Sequence, residues 1–189
     1  MVKTKIETVD LTDEELIGAS LLKTRTSEPF ASNYTVDPEC KASIHVRDVG
    51  LIDMPLKESQ ARQLIAKAHP PAPHGHGGNI TTDASAGKIW ELNQHQFDFG
   101  EVGEWPPLLS HVCNVVNPRN SWLNPVDVVV EKMVIYEKGA TYKTHTDIEK
   151  SKGMFGTCIV SLPSKHEGGD MLFEYGGQKP RRYKSCLKT

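Results

Sequence analysis

Residues 126–147 have the sequence V-D-V-V-V-E-K-M-V-I-Y-E-K-G-A-T-Y-K-T-H-T-D. The first part, Val126–Tyr136, is rich in β-branched and aromatic residues, which is typical of a half-buried strand. Residues 137–140 predict a tight turn, because Gly139 adopts positive φ without strain. Residues 141–145 are then expected to return as a second strand of a hairpin.

The end of this stretch carries His145 and Asp147, two residues apart. Because residues i and i+2 of a strand point to the same face, the two side chains are expected to converge. An imidazole and a carboxylate are two of the three ligands in the 2-His-1-carboxylate set that holds non-haem Fe(II). The alternative is a polar strand end, which the bare tripeptide favours because short motifs recur by chance. A cupin motif is not completed, because Asp147 stands where cupins have histidine.

Composition narrows the class of protein. The chain has 189 residues, a hydrophobic fraction of 38% and a formal net charge of −2, which predicts one domain with a real core. It lacks the basic excess that binds nucleic acid, an apolar run long enough to cross a membrane, and an apolar N-terminal signal region. The first two absences predict a protein without nucleic-acid or membrane partners. Its cysteines form no C-x-x-C pair, which together with the missing signal region predicts a cytoplasmic or nuclear protein. The four are Cys40, Cys113, Cys158 and Cys186.

The two ends of the chain differ in pattern. Residues 1–41 are polar and turn-rich apart from a short capped helix over residues 12–22, so we predict a peripheral, partly disordered segment. Residues 42–189 are predicted to form the folded domain. Its clearest helix covers residues 55–69, where apolar residues recur at i, i+3, i+4 and i+7: Ala61, Leu64, Ile65 and Ala68.

Strand patterns dominate the rest of this domain. Residues 155–162 are nearly all apolar, which predicts a strand in the centre of a sheet. Trp90 is predicted to anchor the core. The loop over residues 70–79 contains His74 and His76, but a glycine-rich loop favours a plain connection over a metal site. The remaining predicted elements are a helix over residues 105–116 and strands over residues 42–52, 89–92, 170–175 and 181–187.

Several motifs, in this order along the chain, resemble the Fe(II)/2-oxoglutarate-dependent dioxygenases. They look closest to the prolyl-4-hydroxylase-like branch found as uncharacterised fungal proteins. The resemblance covers residues 42–179, and its length and order make it more specific than the His-x-Asp tripeptide alone. The motifs are Y-E-K-G-x-x-x-K-x-H-T-D-x-E-K from Tyr136, G-M-F-G-T from Gly153, S-L-P-S-x-H-x-G-G-D from Ser161, W-E-L from Trp90 and W-P-P-L-L from Trp105.

This resemblance implies an α+β fold with a double-stranded β-helix, a jelly-roll-like barrel with helices packed outside. It implies that His145 and Asp147 are two Fe(II) ligands on the second core strand, with no catalytic residue beyond the metal ligands. Tyr136 matches a position whose phenol often contacts the co-substrate 2-oxoglutarate, with an ordinary core aromatic as the alternative. Tyr142 is expected to line the same pocket or to pack beside it.

The chain also departs from the family pattern. The family has a distal histidine as third ligand and a later basic residue that pairs with 2-oxoglutarate, whereas the only histidine after Asp147 is His166. His166 precedes the Gly-Gly turn of the family motif and is predicted to be a structural or pocket-edge residue. Arg181 and Arg182 come too early for the basic residue. We therefore expect a barrel that lacks its C-terminal strands and exposes a sheet edge to self-association or a partner.

Two functions follow from these expectations. The first is a dioxygenase that hydroxylates a small molecule or a peptide, prolyl peptides being the association of the relatives. The second is a catalytically inactive fragment or binding protein that keeps half of the fold. With two protein ligands instead of three, we expect weak iron binding and no release of succinate from 2-oxoglutarate.

Overall fold

The computed structural model describes residues 2–8, 31, 33, 43–71, 87–99, 126–142, 144–147 and 149–185. These residues contain more strand than helix, which confirms the α+β class in its coarse form, and they form no closed barrel. The predicted helices over residues 12–22 and 105–116, and His74 and His76, lie outside the described residues. The elements in chain order are β1 (Val2–Thr8), β2 (Ile44–Val46), β3 (Gly50–Ile52), α1 (Glu58–Lys67), β4 (Ile89–Asn93), β5 (Phe97–Phe99), β6 (Val126–Tyr136), β7 (Met154–Val160), β8 (Met171–Phe173) and β9 (Arg181–Tyr183).

Within the described ranges, four antiparallel strands form the main sheet in the order β4-β6-β1-β7. The N-terminal strand β1 lies inside this sheet, where Val2 stands opposite Met133 of β6 and Val160 of β7. This differs from the prediction that residues 1–41 are peripheral. The pattern V-K-T-K-I-E-T does alternate in polarity, as strands do.

The long strand β6 has the predicted bounds, and the predicted turn follows it. Gly139 has φ +80°, and the amide of Ala140 donates to the carbonyl of Glu137 at 3.0 Å. The prediction of a return strand over residues 141–145 is wrong, because the described residues there form no strand. On one edge of β6, β4 pairs with Lys132–Tyr136, and on the other edge β1 pairs with Val126–Met133, so a hairpin partner could join β6 only beyond Met133.

The apolar strand β7 is present, but among the described strands it lies at the end of the sheet, which differs from the predicted central position. Among the described residues its only strand neighbour is β1, and Phe155 is 53% exposed. Apolar composition alone does not separate a central strand from an edge strand with two partly covered faces. Association through an exposed sheet edge stays a prediction.

The core lies between one face of the main sheet, helix α1 and a three-stranded sheet in the order β3-β2-β5. Leu64 of α1 is 1% exposed, which confirms the predicted helix and its apolar face over Glu58–Lys67. The strand predicted over residues 42–52 is a hairpin, in which Asp48 adopts positive φ in the turn and Gly50 adopts it at the start of β3. The buried core residues in contact are Ile44, Val46, Ile52, Leu64, Leu92, Phe97, Met133 and Ile135.

A short hairpin, β8 and β9, confirms the last two predicted strands in shorter form. Its connection includes Gly176 and Gly177, with φ of +53° and +72°. Within the described residues, no helix combines the length and apolarity that crossing a membrane requires.

Candidate metal site

The main sheet has one apolar face and one face with polar side chains. Leu92 and Met133 stand opposite each other and pack into the core. Because successive residues of a strand point to opposite faces, Glu91 and its partner Val134 lie on the other face. By the same alternation, Lys132, Tyr136 and Thr157 belong to this second face. We call it the polar face.

His145 and Asp147 converge at the polar face. The distance from His145 Nε2 to Asp147 Oδ1 is 3.6 Å, and the two side chains are 37% and 31% exposed. The convergence expected from the sequence is therefore present, although residues 144–147 form no strand. A connecting segment, rather than the alternation of a strand, aims the imidazole and the carboxylate at one point.

The separation of these two atoms suits a shared metal ion after a small movement. Two ligand atoms about 2.1 Å from one ion are about 3.0 Å apart in octahedral geometry and about 3.4 Å apart in tetrahedral geometry. At 3.6 Å, the pair must close by a few tenths of an ångström, which a side-chain rotation supplies. Imidazole nitrogen and carboxylate oxygen together are ligands of non-haem Fe(II).

The other oxygen of Asp147 is held by the sheet. Thr157 Oγ1 of β7 donates a hydrogen bond of 2.8 Å to Asp147 Oδ2. Three residues beyond Asp147, the ammonium group of Lys150 pairs with the carboxylate of Glu131 on β6. The segment that carries Asp147 is therefore attached to both β7 and β6. Thr157 lies in the motif G-M-F-G-T, but nothing in the sequence around it indicates this contact with Asp147.

The two predicted co-substrate residues, Tyr136 and Tyr142, form an aromatic cluster with His145. The ring centroids of Tyr142 and His145 are 4.6 Å apart at a tilt of 40°, and those of Tyr136 and Tyr142 are 6.3 Å apart. Although the Tyr136 residue is 43% exposed, desolvation of its hydroxyl, with the nearby charges of Glu91 and Asp147, raises the pKa of Tyr136 to about 12. Burial, followed by the charge of Glu91, also raises the pKa of Tyr142. Both phenols therefore remain hydrogen-bond donors at neutral pH.

The raised pKa of Tyr136 gives a pH prediction. Because the folded pKa lies above the ordinary value of about 10, the fold favours the protonated phenol, and this contribution to stability is complete below pH 10. It is lost as the pH rises from about 10 to about 12, when the phenolate forms beside two carboxylates. We expect the near-ultraviolet phenolate absorbance of the native protein to include a late step near pH 12.

The Tyr136→Phe variant tests this assignment. It should lose the share of the late absorbance that Tyr136 contributes and keep that of Tyr142, whereas Tyr175→Phe, which removes a phenol outside the cluster, should keep both. Identical curves above pH 11 for Tyr136→Phe and the unaltered protein would contradict the assignment.

A buried ion pair on the polar face was not foreseen from the sequence. Lys132 Nζ lies 2.6 Å from Glu91 Oε1, and the two side chains are only 12% and 6% exposed. Each charge stands inside an apolar run, I-W-E-L or V-V-V-E-K-M-V-I, which is the signal that a buried partner exists. The partner itself is set by the pairing of β4 with β6.

A third ligand is not found beside the pair in the described part of the chain. No group of three or more His, Cys, Asp or Glu side chains is placed to hold a metal ion among these residues. His166 lies elsewhere, where Nδ1 is 3.1 Å from Ser164 Oγ and Nε2 is 3.1 Å from Ser185 Oγ. These contacts connect His166 to the segment after β9, and they occupy both of its ring nitrogens.

Comparisons of the chain with known proteins found no relative. The chain matches no protein-family model, no curated protein and no solved structure.

Proposed function

We propose that this protein binds Fe(II) through His145 and Asp147 and belongs to the Fe(II)/2-oxoglutarate-dependent dioxygenases, as a prolyl-4-hydroxylase-like member. The observation that carries the proposal is the 3.6 Å approach of His145 Nε2 to Asp147 Oδ1 at the polar face. The main sheet is then one wall of a double-stranded β-helix, with its apolar face against α1 and its polar face toward the metal. The order of motifs from Tyr136 to Asp170 supports the same family.

The residues of the polar face suit a co-substrate with carboxylates. Iron with 2-oxoglutarate supplies the oxidation of a C–H bond in this class of enzyme. Tyr136 and Tyr142 offer phenol donors beside His145, and a carboxylate accepts such bonds. Lys132 is already paired with the carboxylate of Glu91, and the Asp147 carboxylate near the two phenols repels a second anion unless a cation is bound. We therefore expect 2-oxoglutarate to bind to the metal-loaded protein and not to the metal-free protein.

Metal titration tests the assignment of the two ligands. Under anaerobic conditions, Fe(II) should bind to the unaltered protein, and binding should fall below detection in His145→Ala and in Asp147→Ala because each removes a donor atom. The chain offers a matched control: His45 and Asp98 are exposed and stand opposite each other in β2 and β5. His45→Ala and Asp98→Ala should bind iron as the unaltered protein does. Equal binding by Asp147→Ala would contradict the proposed site.

A second function has one observation in its favour. Because no third ligand joins His145 and Asp147 within the described ranges, the protein fits a metal-binding or ligand-binding role without oxidation. Release of succinate from 2-oxoglutarate separates the two functions. The second function predicts weak iron binding that a chelator reverses, because two protein ligands hold the ion, and it predicts no succinate release. Sustained turnover would support the dioxygenase and place the third ligand outside the described residues.

A further inference from the structure

The carboxylate of Asp147 is held in place by a residue that is not itself a ligand. Asp147 lies in a segment without helix or strand, so its side chain is not held in place by backbone hydrogen bonds of a regular element. Thr157 lies within β7, where its position is set by pairing with Lys5 of β1. Its hydroxyl donates to Asp147 Oδ2 at 2.8 Å. Thr157, on a paired strand, therefore supports the proposed ligand Asp147, which lies on an irregular segment.

We propose that Thr157 is the positioning residue of the metal site: its hydroxyl binds Asp147 Oδ2 and so keeps Oδ1 turned toward His145, where the two residues would hold the metal ion. This inference rests on the proposed function, because it takes His145 and Asp147 as the ligands. The two oxygens of the Asp147 carboxylate make different contacts. Oδ1 lies 3.6 Å from His145 Nε2, and Oδ2 accepts the hydrogen bond from Thr157.

The hydrogen bond has two consequences for metal binding. It restrains rotation of the carboxylate, so less freedom is lost when the ion binds. It also occupies Oδ2, which favours coordination through one oxygen over coordination through both. Partners of this kind around metal ligands typically change metal affinity by about 10- to 100-fold when they are removed.

A purely structural role for Thr157 makes a different prediction. If the bond only attaches the segment of Asp147 to β7, then its loss lowers the stability of the metal-free protein and leaves the metal's coordination unchanged. If Thr157 positions the ligand, its loss weakens metal binding and alters the coordination even where the metal-free protein is equally stable. The absorption spectrum of bound Co(II), which depends on the number and arrangement of ligands, distinguishes these roles.

The experiment is a Co(II) titration of the full chain and of four variants. Thr157→Val keeps the shape and the strand preference of threonine but removes the hydroxyl, whereas Thr157→Ser keeps the hydroxyl. Thr146→Val removes an exposed hydroxyl near the site and is the matched control. Asp147→Ala reports on the proposed ligand itself. Thermal unfolding of each metal-free variant accompanies the titrations.

We expect Thr157→Val to bind Co(II) about 10- to 100-fold more weakly with an altered visible spectrum, and Thr157→Ser and Thr146→Val to match the unaltered protein. Should Thr157→Val match the unaltered protein in affinity and spectrum while Asp147→Ala loses binding, the positioning role is overturned and the metal site stands. Should Asp147→Ala bind as tightly as the unaltered protein, the proposed site is overturned together with the inference.

Discussion

Deleting residues 1–8 is expected to abolish the cooperative unfolding of this protein. The deletion removes β1, the seven-residue strand that separates β6 from β7 in the main sheet. Each hydrogen bond of an antiparallel ladder contributes about 0.5–1.5 kcal/mol net, and β1 has a ladder on both sides. The total is comparable with the whole stability of a domain, about 5–15 kcal/mol. Urea titration followed by circular dichroism should show a broad transition with a low m-value.

A single substitution tests the same strand in the full-length chain. Ile6 stands opposite Val128 of β6 and Gly156 of β7, so Ile6→Pro removes an amide donor and introduces a ring in the middle of both ladders. Ile6→Val retains the amide and the β-branched side chain and serves as the control. A steep transition for Ile6→Pro with the midpoint of the control would show that β1 does not join the sheet.

Loss of β1 should also disrupt the candidate metal site. Among the described residues, β6 and β7 belong to one sheet only through β1. His145 and Asp147 follow β6 along the chain, whereas Thr157 is part of β7. A variant with a disrupted β1 is therefore expected to lose the hydrogen bond between Asp147 and Thr157, and metal affinity should fall with stability.

The sequence was sufficient where the pattern is local. The bounds of β6, the turn at Gly139 and the apolar face of α1 follow from β-branching, glycine conformation and helical period over neighbouring residues. The pairing of β1 with β6 and β7 is different, because it joins residues more than a hundred positions apart. The alternation in V-K-T-K-I-E-T indicates a strand, but nothing local indicates its neighbours.

The candidate site was likewise predicted only in part from the sequence. Spacing alone suggested that His145 and Asp147 converge, and they do so at 3.6 Å although the predicted strand is absent. The support around them depends on which strands lie side by side. Thr157 reaches Asp147 because β7 lies beside β1, and Lys132 reaches Glu91 because β4 pairs with β6. Such contacts require the order of the sheet, which the pattern of single strands does not contain.

The second large effect is expected from Lys132→Ala. The ammonium of Lys132 lies 2.6 Å from Glu91 Oε1 on the polar face, and the Glu91 residue is 5% exposed. Removing Lys132 leaves a buried carboxylate without its cation, which typically costs about 3–5 kcal/mol. Equilibrium urea unfolding of the variant and of the unaltered protein measures this difference in free energy of unfolding.

The exposed pair between Arg62 and Glu58 provides the control, because its N–O distance is also 2.6 Å while its side chains are 78% and 81% exposed. Solvent screens such a pair, so Arg62→Ala should change the free energy of unfolding too little to measure. The double variant Glu91→Leu with Lys132→Met removes both charges and fills similar volume, so it should be close to the unaltered protein in stability or exceed it. If Lys132→Ala is as mild as Arg62→Ala, water reaches Glu91 and the polar face is more open than its buried ion pair indicates.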